Sequence, residues 1–182
     1  MRWEVLRSEI AYRCRIFAVR RDESRSLGSG RTHDFHVLET SDWVNVIPLT
    51  ADRRVIMVRQ FRHGIRDLTL EVPAGLIDPE DASPLVAAQR ELREETGCAA
   101  AAVVSLGAVH PNPAIMNNRC HMFVAYGVEQ VGPPECDVTE ELTVERVRLD
   151  DIPDLIASGV ISNALTVVAF HLLQLQPSGR GG

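Results

Sequence analysis

Apolar and polar positions alternate, or apolar β-rich residues run together, near 3–7, 14–20, 34–39, 43–49, 54–60, 68–72, 102–109, 119–127 and 142–149. That period predicts strands. Helical spacing instead predicts helices at 84–96, 151–158 and 163–175. The last carries Leu165, Val167, Val168, Phe170, Leu172 and Leu173 almost all round, which predicts a largely buried helix with Asn163 as its N-cap. Residues 21–34, RDESRSLGSGRTHD, are polar and glycine-bearing and read as a loop or hairpin turn. Gly28-Ser29-Gly30 lacks the third glycine and following helix of a dinucleotide fingerprint. No internal repeat is present. Many strands with few helices predict an α+β domain, a mixed sheet packed between helices. The final PSGRGG, residues 177–182, is expected to be a disordered tail.

The helix at 84–96 has clear ends. Ser83-Pro84 supplies an N-cap and a proline at the first helical position, and Gly97 supplies a stop. At 100° per residue, Leu85, Ala88, Leu92 and Thr96 share a narrow face that should pack on the core. Glu91, Glu94 and Glu95 gather on a second face, with Arg90 and Arg93 on a third. Like charges three and four residues apart cost about 0.2–0.5 kcal/mol per pair. The helix dipole disfavours the two glutamates of the last turn by a few tenths of a kcal/mol more. A hard divalent cation would reverse the sign of these terms. Periodicity alone leaves two readings open, a solvated acidic face and a metal site.

Composition narrows the classes. The chain has 182 residues, 45% hydrophobic and 24% charged, which suits one soluble domain. A net charge of −6 speaks against nucleic-acid or anionic-membrane partners. All 19 basic residues are arginine, so a Schiff-base lysine and a P-loop lysine are excluded. Arginine grips phosphates bidentately. Cys14, Cys98, Cys120 and Cys136 form neither a C-x-x-C pair nor a zinc pattern and read as free or buried thiols. MRWEVLRSEI lacks the apolar core of a signal peptide, and no apolar run is membrane-length, so a cytoplasmic protein is expected.

The neighbourhood of the acidic helix adds a resemblance. GLIDPEDASPLVAAQRELREETGC, residues 75–98, resembles the Nudix box of diphosphate hydrolases. Arg90, Glu91, Leu92, Glu94, Glu95 and Gly97 match its R-E-U-x-E-E-x-G core. The loop before the helix is one residue longer than the usual pattern, so Glu80 or Asp81 must supply its acid, which in the family supports the arginine. VIMVRQFRHGIRDLTLEVPAG, residues 55–75, and NALTVVAFHLL are similar to segments of ADP-ribose pyrophosphatases, extending the match over roughly 43–175. The Ser-Pro-Gly signature of that subgroup is represented here only by Pro113, within HPNPAIMNNRCH.

The resemblance implies a Nudix-type α/β/α sandwich over 41–176. It also implies an N-terminal β subdomain over 1–40 that builds a homodimer, with possible exchange between subunits. It implies Mg²⁺-dependent, or Mn²⁺-dependent, cleavage of a nucleoside diphosphate derivative, with ADP-ribose giving AMP and ribose 5-phosphate. Rival readings are a nucleotide-sugar hydrolase, for example of GDP-mannose, and a non-catalytic nucleotide sensor. Glu91, Glu94 and Glu95, with the Ala74 carbonyl, would hold the metal, Glu95 and Arg90 also counting as catalytic. Gly75 allows a tight turn beside the helix. A general base would come from Glu141 or Glu140 in DVTEELTVE, against the alternative of two solvated loop acids. Arg62, with Arg59 behind it, would bind phosphate, or else be an exposed strand-end arginine. Glu71 would support substrate or metal, and Trp43 would stack on the base or belong to the core. His110 and His121 bracket the PNPA loop and are assigned local hydrogen bonds.

Overall fold

A computed structural model describes residues 2–135 and 141–176. The chain divides into two compact units, one running to Asp42 and including His110–Arg119, the other comprising Trp43–Val109 and the chain from Cys120 onward.

In the first unit, β1 (Trp3–Arg13), β2 (Ala18–Ser26) and β3 (Thr32–Glu39) form an antiparallel sheet in that order. The polar stretch 21–34 is therefore mostly strand, and only the residues between Ser26 and Thr32 turn. Charge pairing across the strands replaces apolar alternation as the reason these residues extend. Arg25 meets Glu4 at 2.6 Å, and Arg21 meets Asp34 at 2.8 Å and Glu9 at 3.3 Å. All of these lie on one face. On the other, Trp3 stacks edge-on against Phe35 at 5.0 Å, Val5 and Ile10 share the face, and these apolar side chains remain roughly half exposed. The segment 110–119 adds a short parallel bridge, Met116 to Leu38. His110 Nδ1 lies 3.3 Å from the Asn118 carbonyl, a local contact.

The second unit is built on β4 (Trp43–Leu49), β5 (Arg54–Arg62), β6 (Asp67–Glu71), β7 (Ala74–Leu76), β8 (Cys98–Val109), β9 (Cys120–Gln130) and β10 (Leu142–Arg148). The strand order is β10-β5-β4-β9-β8, with β6 paired to β5 and β7 to β4. Only β4 and β9 run parallel, so the sheet is mixed. Its central strand β4 is covered on both faces, which is why VNVIPL reads as a near-continuous apolar run. On one side, Val44, Val46, Ile56 and Phe123 pack with Ala87, Ala88 and Leu92 of α1 (Pro84–Thr96). On the other, Ile47, Met57, Met122 and Val124 pack with Ile152 of α2 (Ile152–Ala157) and with Ala169 and Phe170 of α3 (Ala164–Gln174). The result is the expected α+β sandwich.

Local sequence explains the helix ends. Ser83 Oγ accepts from Val86 N, and Gly97 closes α1 in the left-handed conformation with φ 68°. Asn163 caps α3 by accepting from Thr166 N, as expected, although only Thr166, Ala169 and Phe170 are fully buried. The buried side of α1 differs from the expected stripe. Leu85 is exposed, whereas Glu91 and Glu95 are buried beside Leu92. Cys14, Cys98 and Cys120 are free thiols, and Cys136 lies outside the described residues. Among the described residues, no helix is long and apolar enough to cross a membrane.

Candidate active site

A cavity of about 600 Å³ opens in the second unit where α1, β4, β7 and the start of α3 meet. Trp43, Arg62, Glu71, Ala74, Glu91 and Glu94 line it, joined by Asn45, Asp78, Arg90, Glu135 and Asn163. Its walls carry more charge than a typical apolar pocket, which suits a charged ligand.

The acid helix is organised by Arg90. Its Nη1 donates to Glu91 Oε1 at 2.8 Å and to Glu94 Oε2 at 2.9 Å. Nε and Nη2 donate to the two oxygens of Asp81 at 3.2 and 2.9 Å, and Nη2 also reaches the Leu76 carbonyl at 2.9 Å. The helical wheel set Arg90 apart from the acids; its long side chain folds back between them instead. The guanidinium is held charged, first by the hydrogen bond to Asp81 and, against burial, by Glu91 and Glu94. Asp81, in turn, is held below the usual carboxylate range, chiefly by Arg90. Of the two acids open for this place, Asp81 meets the arginine and Glu80 is exposed.

Two glycines permit the geometry. A Cβ on Gly75 would lie 2.0 Å from Glu91 Oε1 and 2.2 Å from its Cδ, so only glycine leaves room for that carboxylate. Glu95, 2% exposed, accepts from Ala74 N at 3.1 Å and so joins β7 to the helix. At Gly97 a Cβ would sit 2.2 Å from the Gly132 carbonyl oxygen. Val131 N and Gly132 N both donate to Gly97 O, and Glu135 N donates to Glu94 O at 2.7 Å. These bonds satisfy carbonyls of the last helical turn and bring Glu135 to the cavity.

The donor set is of oxygen alone, which suits a hard divalent cation. Among the described residues, no three His, Cys, Asp or Glu side chains enclose one point. Glu91 and Glu94 line the cavity, whereas Glu95 is buried against β7, so an ion held here would have to keep several waters and take further oxygens from a substrate phosphate.

Across the cavity, Arg62 donates from Nε and Nη2 to Glu71 at 2.8 and 2.6 Å. Glu71 is 2% exposed. Burial alone would raise its carboxyl, but Arg62, then Thr69 and Asn163, outweigh burial and leave it below the usual range. Trp43 lines the cavity and packs against the core. Arg59 is not brought in. It pairs with Glu145 of β10, Nε to Oε1 at 2.5 Å, because a residue three positions earlier on a strand faces away from Arg62. Glu141 is exposed just ahead of β10 and is not among the cavity-lining residues, while Glu140 lies outside the described residues. Sequence reasoning missed Glu135 and the part of Asn163 in the site. The N-cap signal found Asn163, but nothing local points its amide at Glu71.

Comparison with known proteins agrees with this architecture. A sequence model of the NUDIX domain matches residues 41–165. The chain is 30% identical over 155 residues to the ADP-ribose pyrophosphatase of Bacillus subtilis (strain 168), covering 85% of this chain and 83% of that protein. It is 30% identical over 166 residues to the ADP-ribose pyrophosphatase of Mycobacterium tuberculosis (strain ATCC 25618 / H37Rv), covering 91% and 80%. A crystal structure of an ADP compounds hydrolase superposes with a TM-score of 0.85 at 26% identity, covering 96% of this chain and 93% of the other.

Proposed function

The chain belongs to the Nudix family of hydrolases, acting on nucleoside diphosphate derivatives, and from that premise we propose that it cleaves ADP-ribose to AMP and ribose 5-phosphate. The observation that carries the reading is the pairing, in one cavity, of an arginine-braced acid helix with a carboxylate-braced arginine. One end suits a cation and the other a diphosphate. The names of the relatives support ADP-ribose as the substrate.

Hydrolysis adds water across the P–O–P bridge: a P–O bond forms to the water oxygen, the bridging bond breaks, and one proton leaves the water. Mg²⁺, or Mn²⁺, held by Glu91, Glu94 and Glu95 with the Ala74 carbonyl, would supply Lewis acidity and a more acidic water. Arg90 holds Glu91 and Glu94 in place by sharing one Nη1 between them. Arg62, oriented by Glu71, binds the diphosphate. Trp43 offers a ring face to the base. The general base is assigned to Glu141 or Glu140 on the sequence resemblance, since Glu141 does not line the cavity and Glu140 lies outside the described residues. The half-exposed apolar face of β1–β3 supports a homodimer formed by the N-terminal subdomain, residues 1–40.

A panel of ADP-ribose, NADH, GDP-mannose and nucleoside triphosphates, each with Mg²⁺ and with Mn²⁺, tests the proposal by chromatography of the products. AMP appearing fastest from ADP-ribose is the expected result. Faster release from GDP-mannose would replace the substrate. Binding without turnover of any compound would make the chain a sensor.

A further inference from the structure

The Arg62–Glu71 pair has a third member whose side chain has two jobs. Glu71 receives four donors on two oxygens: Arg62 Nε and Thr69 Oγ1 on Oε1, Arg62 Nη2 and Asn163 Nδ2 on Oε2. The last of these is 2.8 Å long. The other end of the same amide, Asn163 Oδ1, accepts from Thr166 N at 3.0 Å and caps α3. With both ends engaged, the amide has one sensible orientation, because a flip would turn oxygen toward carboxylate. A second tie runs in parallel, Val72 N to Thr166 Oγ1 at 3.4 Å, so the first turn of α3 is bound to the strand end that carries Glu71.

We infer that Asn163 is a positioning residue for diphosphate binding: through Glu71 it fixes the direction in which Arg62 presents its guanidinium to the cavity. The inference rests on the reading of Arg62 as a phosphate ligand. A bidentate arginine–carboxylate pair moves as a unit, so Arg62 can be no better placed than Glu71. Thr69 restrains Oε1 alone. The Asn163 bond to Oε2 supplies the second restraint that stops the carboxylate swinging about its terminal bond. A uniform loss of phosphate contact appears in KM, with kcat little changed.

Four variants separate this role from the cap. Asn163→Ser keeps a good N-cap but is too short to reach Glu71. Its melting temperature is expected to fall less than that of Asn163→Ala, because only the bond to Glu71 is lost, while KM for ADP-ribose rises about fivefold and kcat stays within about twofold. Asn163→Ala should lower the melting temperature as well as raising KM. Val147→Ala, half-buried against the same core, should lower the melting temperature and leave KM alone. In an Arg62→Ala background, Asn163→Ser should add nothing further to KM, since the interaction it serves is gone. A wild-type KM in Asn163→Ser, or the same rise with and without Arg62, overturns the inference.

A second readout is independent of turnover. The Arg62 Nε–H resonance, identified by its absence in Arg62→Ala, should shift in Asn163→Ser and stay put in Val147→Ala. An unmoved resonance in Asn163→Ser refutes the positioning role. A wild type that hydrolyses no diphosphate refutes only the functional reading, and the resonance then decides the inference.

Discussion

Gly75→Ala adds one methyl group and addresses the acid helix more directly than any charge substitution. Gly75 pairs with Val44 in the β7–β4 ladder, and its backbone lies outside the left-handed region, so alanine carries no conformational penalty there. The whole effect therefore falls on Glu91. Its Oε1 would lie 2.0 Å from the new Cβ, whereas ordinary contact begins at 3.4 Å. The oxygen must retreat by about 1.4 Å, the difference of those two distances. The same oxygen accepts from Arg90 Nη1 at 2.8 Å, so the retreat breaks a charge-assisted bond in a residue only 7% exposed. Such a bond contributes roughly 1.5–3 kcal/mol. In a domain of this size that corresponds to a melting temperature lower by about 3–12 °C.

Turnover should suffer more. Displacing a reactive group by about 1 Å costs on the order of 10²-fold in rate. The assay is steady-state hydrolysis of ADP-ribose with Mg²⁺, beside calorimetric melting. The expected outcome is a folded protein with kcat down about a hundredfold. Because the clash acts through one side chain, Gly75→Ala should cost far less when added to Glu91→Ala. A single variant within threefold of the wild type, or full additivity with Glu91→Ala, would refute the reasoning about this cradle.

The Glu94→Gln/Glu95→Gln double variant should remain folded and lose hydrolysis, together with Mg²⁺ binding measured by titration calorimetry; undiminished turnover would remove the metal assignment. Glu71 and Asp81 both have depressed carboxyls in the folded state, Glu71 in spite of its burial and Asp81 through Arg90. Their contribution to stability is therefore complete above about pH 4.5 and drains away as pH falls through the folded values, which urea midpoints across pH 3–7 should follow. In Arg62→Ala the strongest counterweight to burial at Glu71 is lost, so that acid limb should move to higher pH; an unmoved limb would show that Thr69 and Asn163 suffice. Light scattering at micromolar concentration should report a dimer, and a monomer there would count against the role given to β1–β3.

Much of this protein is local, and so legible in the chain. The capped helix 84–96 follows from Ser83, Pro84 and Gly97, whose effects reach only a turn in either direction. The buried strands follow from the apolar runs at 43–49 and 54–60. The acids of RELREETG follow from their spacing, and their family from the motif around them. Residues 21–34 were the least legible, because cross-strand partners such as Glu4 for Arg25 lie far away in sequence and leave no period to read. Leu85 failed for a related reason: a wheel ranks residues by hydrophobicity, and packing of the helix against β7 reversed the ranking by burying Glu91 and Glu95.

Direction was left wholly to the tertiary structure. A helical wheel places Arg90 by its Cα, yet the guanidinium ends between Glu91, Glu94 and Asp81. VRQFRH offered Arg62 with Arg59 behind it for the same task, but the pleat sends Arg59 to Glu145 and Arg62 to Glu71. Asn163 shows both levels in a single side chain. Its oxygen caps its own helix, an interaction three residues long that the sequence determines by itself. Its nitrogen meets Glu71 across 92 positions, and only the packing of α3 against the sheet decides that, because no local preference acts over such a distance.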